Sequence, residues 1–343
     1  MSGILHPTDP SVEGSFSTGE ESPPRWPQAL KRSVRSGFEL CELLGIAPND
    51  VSEEAESDFP VFVPREYIER IEPGNPSDPL LRQVVSSQLE LSPEGLVDPV
   101  GDAQSEATSG LLHKYKGRVL LIVSGACAVH CRYCFRRNYP YSSAPNGPGE
   151  WSQWVDYLRN DESIEEVILS GGDPLSVRDE SLAWLVSQFE SISHLKRLRI
   201  HTRFPVVIPQ RVCEEMTNWL STTRLAKFVV LHINHAQEID DAVAAAARRL
   251  REGGATVLNQ AVLLRGVNDS WLAQRNLSNA LIAEQILPYY LHQLDPVRGG
   301  RHFEVSDSEA EEIFSKLRQE LPGYAVPKLV RELAGEPSKT RLL

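Results

Sequence analysis

The chain contains no run approaching the ~18 consecutive apolar residues that a membrane-spanning helix needs, so no such helix is expected. Its start combines no basic stretch, long apolar run and small-residue cleavage site, so no signal peptide is read there. Positive charge is in deficit: 35 Lys and Arg stand against 47 Asp and Glu, a formal net charge of −12. Such a balance speaks against a general binder of nucleic acid or of an anionic membrane, while leaving room for a local basic pocket. Cysteine is scarce too. Of five, three fall within eight residues, which suits a metal site in a reducing cytoplasm better than a secreted disulfide framework. Cytoplasmic location is therefore the expectation.

The 343 residues allow one large domain with appendages or two domains. Residues 1–25 (including SVEGSFSTGEESPP) carry no apolar period and read as a disordered tail. Residues 26–104 read as a helical region cut into short pieces by Pro60, Pro64, Pro76 and Pro79. Residues 105–305 alternate six apolar, β-branched runs with helix-like stretches. The runs are GRVLLIVSGAC, EEVILSGG, LKRLRIHTR, AKFVVLHIN, ATVLNQAVLL and ILPYYLHQLD. That alternation predicts an α/β fold with a parallel sheet, a (βα)6 partial TIM barrel whose chemistry sits at the C-terminal strand ends. Residues 306–343 read as a helix opened by a Ser306/Glu309 capping box, then a short basic tail.

Cys127, Cys131 and Cys134 follow the first strand with spacing C-x3-C-x2-C. Three thiolates on one loop can hold three irons of a [4Fe–4S] cubane and leave the fourth open to another ligand. The competing reading is zinc, which normally takes four protein ligands and would need His130 as the fourth. The run Ser170-Gly171-Gly172-Asp173 ends the second strand, where glycines permit close backbone approach; a plain strand-to-helix turn capped by Asp173 is the alternative. Cys41 and Cys213 stand alone and read as structural thiols, Cys213 buried on a helix.

The cysteine motif resembles that of the radical S-adenosylmethionine (SAM) superfamily. Longer segments narrow the resemblance: Cys134-Phe-Arg136-Arg137, HTRFPVVIPQR (201–211), LHINH (231–235), NQAVLLRGVND (259–269) and PYYLHQLD (288–295) are similar to the lysine 2,3-aminomutase family. The likeness covers about residues 80–343. The short length and the ending AGEPSKT most resemble the bacterial subgroup that makes (R)-β-lysine for modifying elongation factor P.

The resemblance implies a radical SAM (βα)6 fold, an intramolecular aminomutase, and three cofactors: a [4Fe–4S] cluster, SAM and pyridoxal 5′-phosphate (PLP). It implies that Lys339 anchors PLP, with Lys328 as the competing lysine. Lys114, Tyr115 and Arg118 would contact the phosphate, and His292 would lie near the pyridine ring. Tyr133, Ser170, Gly171, Gly172, Asp173, His201, Arg203, His232, Asn259 and Gln260 are further cofactor-contact candidates. Arg136 matches the arginine that pairs with the substrate carboxylate. Asp295 and Glu332 match acidic positions that receive the remote ammonium of L-lysine, since a buried cation needs paired charge. Two departures stand out: Lys114 replaces an expected arginine, and Glu332 an expected aspartate. Implied partners are L-lysine, an electron donor such as flavodoxin or ferredoxin, a separate ligase that attaches β-lysine to elongation factor P, and a second copy of the chain in a homo-oligomer. Competing activities are an aminomutase for another amino acid, such as glutamate, and a radical SAM enzyme of a different substrate. The two acidic side chains disfavour the first.

Overall fold

A computed structural model describes residues 25–141, 145 and 147–342. Residues 1–24 of the expected disordered tail lie outside the described residues.

The prolines act as read. Helix Glu53–Asp58 stops just before Pro60, Pro64 immediately precedes helix Arg65–Ile68, and Pro79 opens helix Pro79–Arg82. Pro suits a first helical turn, because the N–H it lacks has no partner there.

Among the described residues ten strands form one sheet in sequence order: β1 Glu106–Thr108, β2 Leu111–Tyr115, β3 Arg118–Ser124, β4 Glu166–Gly171, β5 Arg197–Thr202, β6 Ala226–Leu231, β7 Thr256–Leu263, β8 Leu287–Gln293, β9 Lys328–Arg331 and β10 Thr340–Arg341. Strands β3 to β8 are parallel neighbours and coincide with the six apolar runs. Each connection carries a helix, from Pro148–Asn160 after β3 to Trp271–Ala283 after β7. This is the expected partial barrel.

Both ends of the sheet go further than expected. The stretch around Lys114 is strand β2, and the pair Lys116-Gly117, with Gly117 at φ +76°, turns it into antiparallel β3. At the other end β9 pairs in parallel with β8, and β10 returns antiparallel to β9. Segments this short, Lys328–Arg331 and Thr340–Arg341, give too few residues for a period to show. The Ser306/Glu309 capping box is present and opens helix Asp307–Glu320.

The strand period of two sorts the side chains into two layers. Val119, Leu121, Val123, Val167, Leu169, Leu198, Ile200, Val229 and Leu231 join the apolar core with helix residues such as Trp151, Trp154, Leu185 and Leu250. Their neighbours in sequence face the lumen. There Arg118, Glu166, Ser170, Arg199, His201, His232, Gln260 and His292 replace aliphatic side chains. A barrel interior this polar is arranged around a ligand rather than around its own packing.

Candidate active site

The lumen holds a cavity of about 660 Å³, within the range of cofactor and small-molecule sites. Cys127, Cys131 and Cys134 line it, on the loop that leaves β3. Gly171 and Gly172 bring the end of β4 against that loop. Gly172 N donates to the Ser124 carbonyl and Asp173 N to the Ala126 carbonyl, both at 2.8 Å. A Cβ on Gly172 would stand 2.5 Å from the Ala126 oxygen, and one on Gly171 2.5 Å from the Ser124 oxygen. The glycine pair thus serves the approach of one backbone to another. The Asp173 carboxylate accepts from Thr202 Oγ1 (2.7 Å) and from the Arg203, Phe204 and Leu175 amides, so it ties β4 to β5 as well as capping the turn.

The cysteine loop is gripped from outside the barrel. Glu90 takes Arg132 at 2.6 Å and Arg137 at 2.9 Å, with the Glu90 and Arg132 side chains almost fully buried. Arg203 Nη1 donates to Cys131 Sγ at 2.8 Å, while its Nη2 reaches Glu238 (2.9 Å) and Gln83 (2.8 Å). Burial and the neighbouring thiols push the Cys127 thiol well above its usual range and Cys134 up to about 11. Thiolates in such surroundings need a cation to sustain them, which iron supplies. His130, considered as a fourth zinc ligand, bonds the Pro60 carbonyl through Nδ1 at 2.8 Å and stacks on Phe59. Among the described residues no three His, Cys, Asp or Glu converge closely enough to hold one metal ion.

Further along the lumen three histidines have no partner on Nε2 among the described residues: His201, His232 and His292. Burial lowers all three, His232 to about 4 and the others well below the usual value, so each ring is neutral near pH 7. Gln260 Oε1 and Asp295 Oδ1 are also buried without partners among the described residues. Buried polar atoms are ordinarily hydrogen-bonded, so this set fits a polar ligand such as SAM or PLP.

The β9–β10 hairpin completes the wall. Glu332 directly follows β9 and Lys339 directly precedes β10, so the antiparallel pairing sets them face to face. Glu332 accepts from Lys339 Nζ and from Lys114 Nζ, the latter at 2.7 Å. Burial works to raise the Glu332 carboxyl, but the two lysines outweigh it and hold it at about 2. Asp295 goes the other way: burial and the Glu332 charge push it up to about 7, against the pull of Lys339 and Lys114. Arg136 donates through Nε to Asp102 Oδ2 at 2.7 Å and through Nη1 to Ser170 Oγ at 3.2 Å.

Three comparisons bear on this geometry. The family described as a 4Fe-4S single cluster domain matches residues 116–218. The L-lysine 2,3-aminomutase of Haemophilus influenzae is 47% identical over 319 residues, 92% of this chain and 94% of its own length. That of Escherichia coli is 47% identical over 322 residues, with the same shares. The chain belongs to the lysine 2,3-aminomutase family. The family's Clostridium subterminale enzyme is 36% identical over 280 residues, covering 81% of this chain and 67% of that one. It follows that the chain is an isomerase, a radical SAM aminomutase with a [4Fe–4S] cluster.

The site residues carried over from the lysine 2,3-aminomutases come together with one exception. Tyr133, Lys114, Tyr115, Arg118, Arg136, Asp295, Glu332 and Lys339 all line the cavity, as do the cysteines, the 170–173 turn, His201, Arg203, His232, Gln260 and His292. Asn259 does not. It shares its parity on β7 with the core residues Val257, Ala261 and Leu263, and its side chain is spent on the Ile233 amide and carbonyl, both at 3.0 Å. Lys328, the alternative anchor, is exposed beside Tyr289 and outside the cavity. Lys114 faces Glu332, and Arg118 lies over the Tyr115 ring, 4.6 Å from its centroid. Cys213 is not within a helix. It precedes helix Glu214–Thr222, half-buried, with its thiol 3.6 Å from Asp179 Oδ2. Sequence reading passed over Asp102, Glu90, and the Arg199–Glu166 pair at 2.7 Å. The alternation Arg199, His201, Arg203 within LKRLRIHTR was the available signal for the last of these.

Among the described residues no helix is long and apolar enough to cross a membrane.

Proposed function

We propose that the chain is a lysine 2,3-aminomutase that converts L-lysine to β-lysine with PLP held on Lys339. The observation that carries this reading is one cavity in which the three cluster cysteines share walls with Arg136, Asp295, Glu332 and Lys339. When bound, the cluster and SAM supply one-electron chemistry and PLP an electron sink for the migrating amine.

The chain's own residues then do the holding. Arg136 receives the α-carboxylate, and Asp295 with Glu332 receives the remote ammonium. Two carboxylates suit a buried cation and repel an acidic side chain, which supports lysine over glutamate. The entering ammonium draws Asp295, otherwise at about 7, into its charged form. Lys339 is the lysine of the pair that reaches the cavity, which supports it over Lys328. Arg118, which forms no ion pair among the described residues, and Lys114 supply cations for a phosphate. The neutral histidines offer donors or acceptors to the cofactors without adding charge. The surrounding walls keep bulk water from a reactive radical.

The near end-to-end match to the Haemophilus and Escherichia relatives, against the partial match to the longer Clostridium one, supports placing the chain in the short subgroup. In that reading the product is (R)-β-lysine. It passes to a separate ligase acting on elongation factor P, and a flavodoxin or ferredoxin supplies the electron.

Protein reconstituted with iron and sulfide, then given lysine, PLP, SAM and a reductant, should form β-lysine, and Lys339→Ala should form none. Absence of β-lysine from the unaltered chain overturns the substrate; full activity in Lys339→Ala overturns the anchor.

A further inference from the structure

Asp102 belongs to none of the parallel strands. It lies in a strap that crosses the rim of the cavity before β1. Asp98 shapes the strap by accepting from the Asp102 and Ala103 amides, both at 3.0 Å. Gly101 turns it, at φ +70°, so closely over the C-terminal hairpin that a Cβ would stand 3.1 Å from Ala334 Cβ. Val100 gives its carbonyl to Lys114 Nζ. Asp102 then reaches Arg136. One short segment therefore touches Arg136, Lys114 and the loop that carries Lys339.

Its bond to Arg136 divides the guanidinium. Nε is held by Asp102 and one Nη1 hydrogen by Ser170, while Nη2 has no protein partner among the described residues. The edge left over, between Nη1 and Nη2, is one that a carboxylate can take with two parallel bonds. The charge matters as much as the direction. Asp102 is the carboxylate that pairs with the Arg136 cation among the described residues, and both side chains are nearly buried. Stripped of Asp102, a guanidinium only 9% exposed would be left to the other carboxylates lining the same cavity, Glu332 among them.

We propose that Asp102 is a positioning residue for substrate recognition: it turns the Nη edge of Arg136 toward the substrate α-carboxylate and keeps Arg136 away from Glu332. The strap thereby fixes the separation of the carboxylate end from the ammonium end and selects α-amino acids with a long cationic side chain. This rests on the reading of the cavity as a lysine site.

The test is equilibrium binding of lysine and of lysinamide, which has an amide in place of the carboxylate. Both are titrated into cluster- and PLP-loaded protein without SAM, for the unaltered chain, Asp102→Ala and Asp102→Asn, with iron and sulfide measured in each. Asp102→Ala should raise the lysine Kd roughly 10- to 100-fold, the worth of one charged hydrogen bond. Asp102→Asn should raise it less, because its amide oxygen still accepts from Nε. Lysinamide binding should change little, and iron content should hold in both variants. Equal weakening of lysine and lysinamide, unaltered lysine binding in Asp102→Ala, or loss of iron from both variants overturns the proposal. An unaltered chain that binds neither compound overturns the lysine-site reading, and this one with it.

Discussion

The cysteine loop and the C-terminal hairpin face each other across one cavity and are held by opposite means. The loop is fixed mainly through backbone. Ser124 and Ala126 carbonyls meet the 172–173 amides, the His130 amide meets the Phe62 carbonyl at 3.0 Å, and the Arg132 amide meets that of Gln83 at 2.9 Å. Its main ionic support is Glu90, shared by Arg132 and Arg137 and sealed from water. The hairpin has a ladder of two residue pairs, an exposed connecting loop, and Glu332 between two lysines. Apart from the Arg203–Cys131 thiol bond, the loop's restraints are groups that no ligand competes for. The hairpin's restraints are charges that the proposed substrate and cofactor also want. The cluster end is therefore preorganised, whereas under the proposed function the hairpin end would have to rearrange its charge pairs on loading.

Perturbing each region in turn tests this contrast. Glu90→Ala should have the largest effect. It leaves two buried guanidiniums without an anion, at a cost of about 3–5 kcal/mol. Iron and sulfide content and the melting temperature should fall together; an unchanged iron content would break the claim that Glu90 sets the loop.

Glu332→Gln should leave iron content nearly unchanged, lower the melting temperature because Lys114 and Lys339 lose their shared anion, and act on the substrate as well. Loss of charged hydrogen bonds worth about 1.5–3 kcal/mol predicts a lysine KM roughly 10- to 100-fold higher. Loss of iron in this variant would mean that the two regions are not independent.

A smaller effect is expected from pH. Asp295 sits at about 7, and the lysine ammonium favours its charged form. Below that value, binding must first remove a proton from Asp295, so the lysine KM should rise by up to about tenfold per pH unit as pH falls below about 7. Above it the KM should level off. Asp295→Asn should flatten the profile; a slope that persists in Asp295→Asn assigns the titration elsewhere.

The smallest effect should come from Lys328→Ala. Its ammonium is exposed and makes no ion pair among the described residues, so β-lysine formation should match that of the unaltered chain. A large loss would move the anchor from Lys339 to Lys328.

Much of the site could be read from the residues, though unevenly. The cysteine loop was legible because its ligands are close in sequence and their spacing is itself the chemistry. The 170–173 turn was legible as a motif, but its glycines answer to the Ser124 and Ala126 carbonyls, atoms far away along the chain. Asn259 and Gln260 are both candidates in the sequence, but only one of two neighbours can reach the lumen, and Asn259 faces the core. Gln260 beside it faces the lumen, and in a strand adjacent residues must face opposite ways. Asp102 carried no local pattern at all. A carboxylate in an irregular segment acquires a partner only when the chain has folded over it.

The sequence by itself determined the six βα units, the three thiols and the identity of the charged groups, because periodicity and short spacing are local properties. Tertiary structure alone decided which charges meet. It set Glu332 between Lys114 and Lys339, gave Asp102 to Arg136, and raised Asp295 while lowering Glu332. Those outcomes depend on burial and on distances across the lumen, and both arise only when the sheet has curled and the C-terminal hairpin has joined its edge.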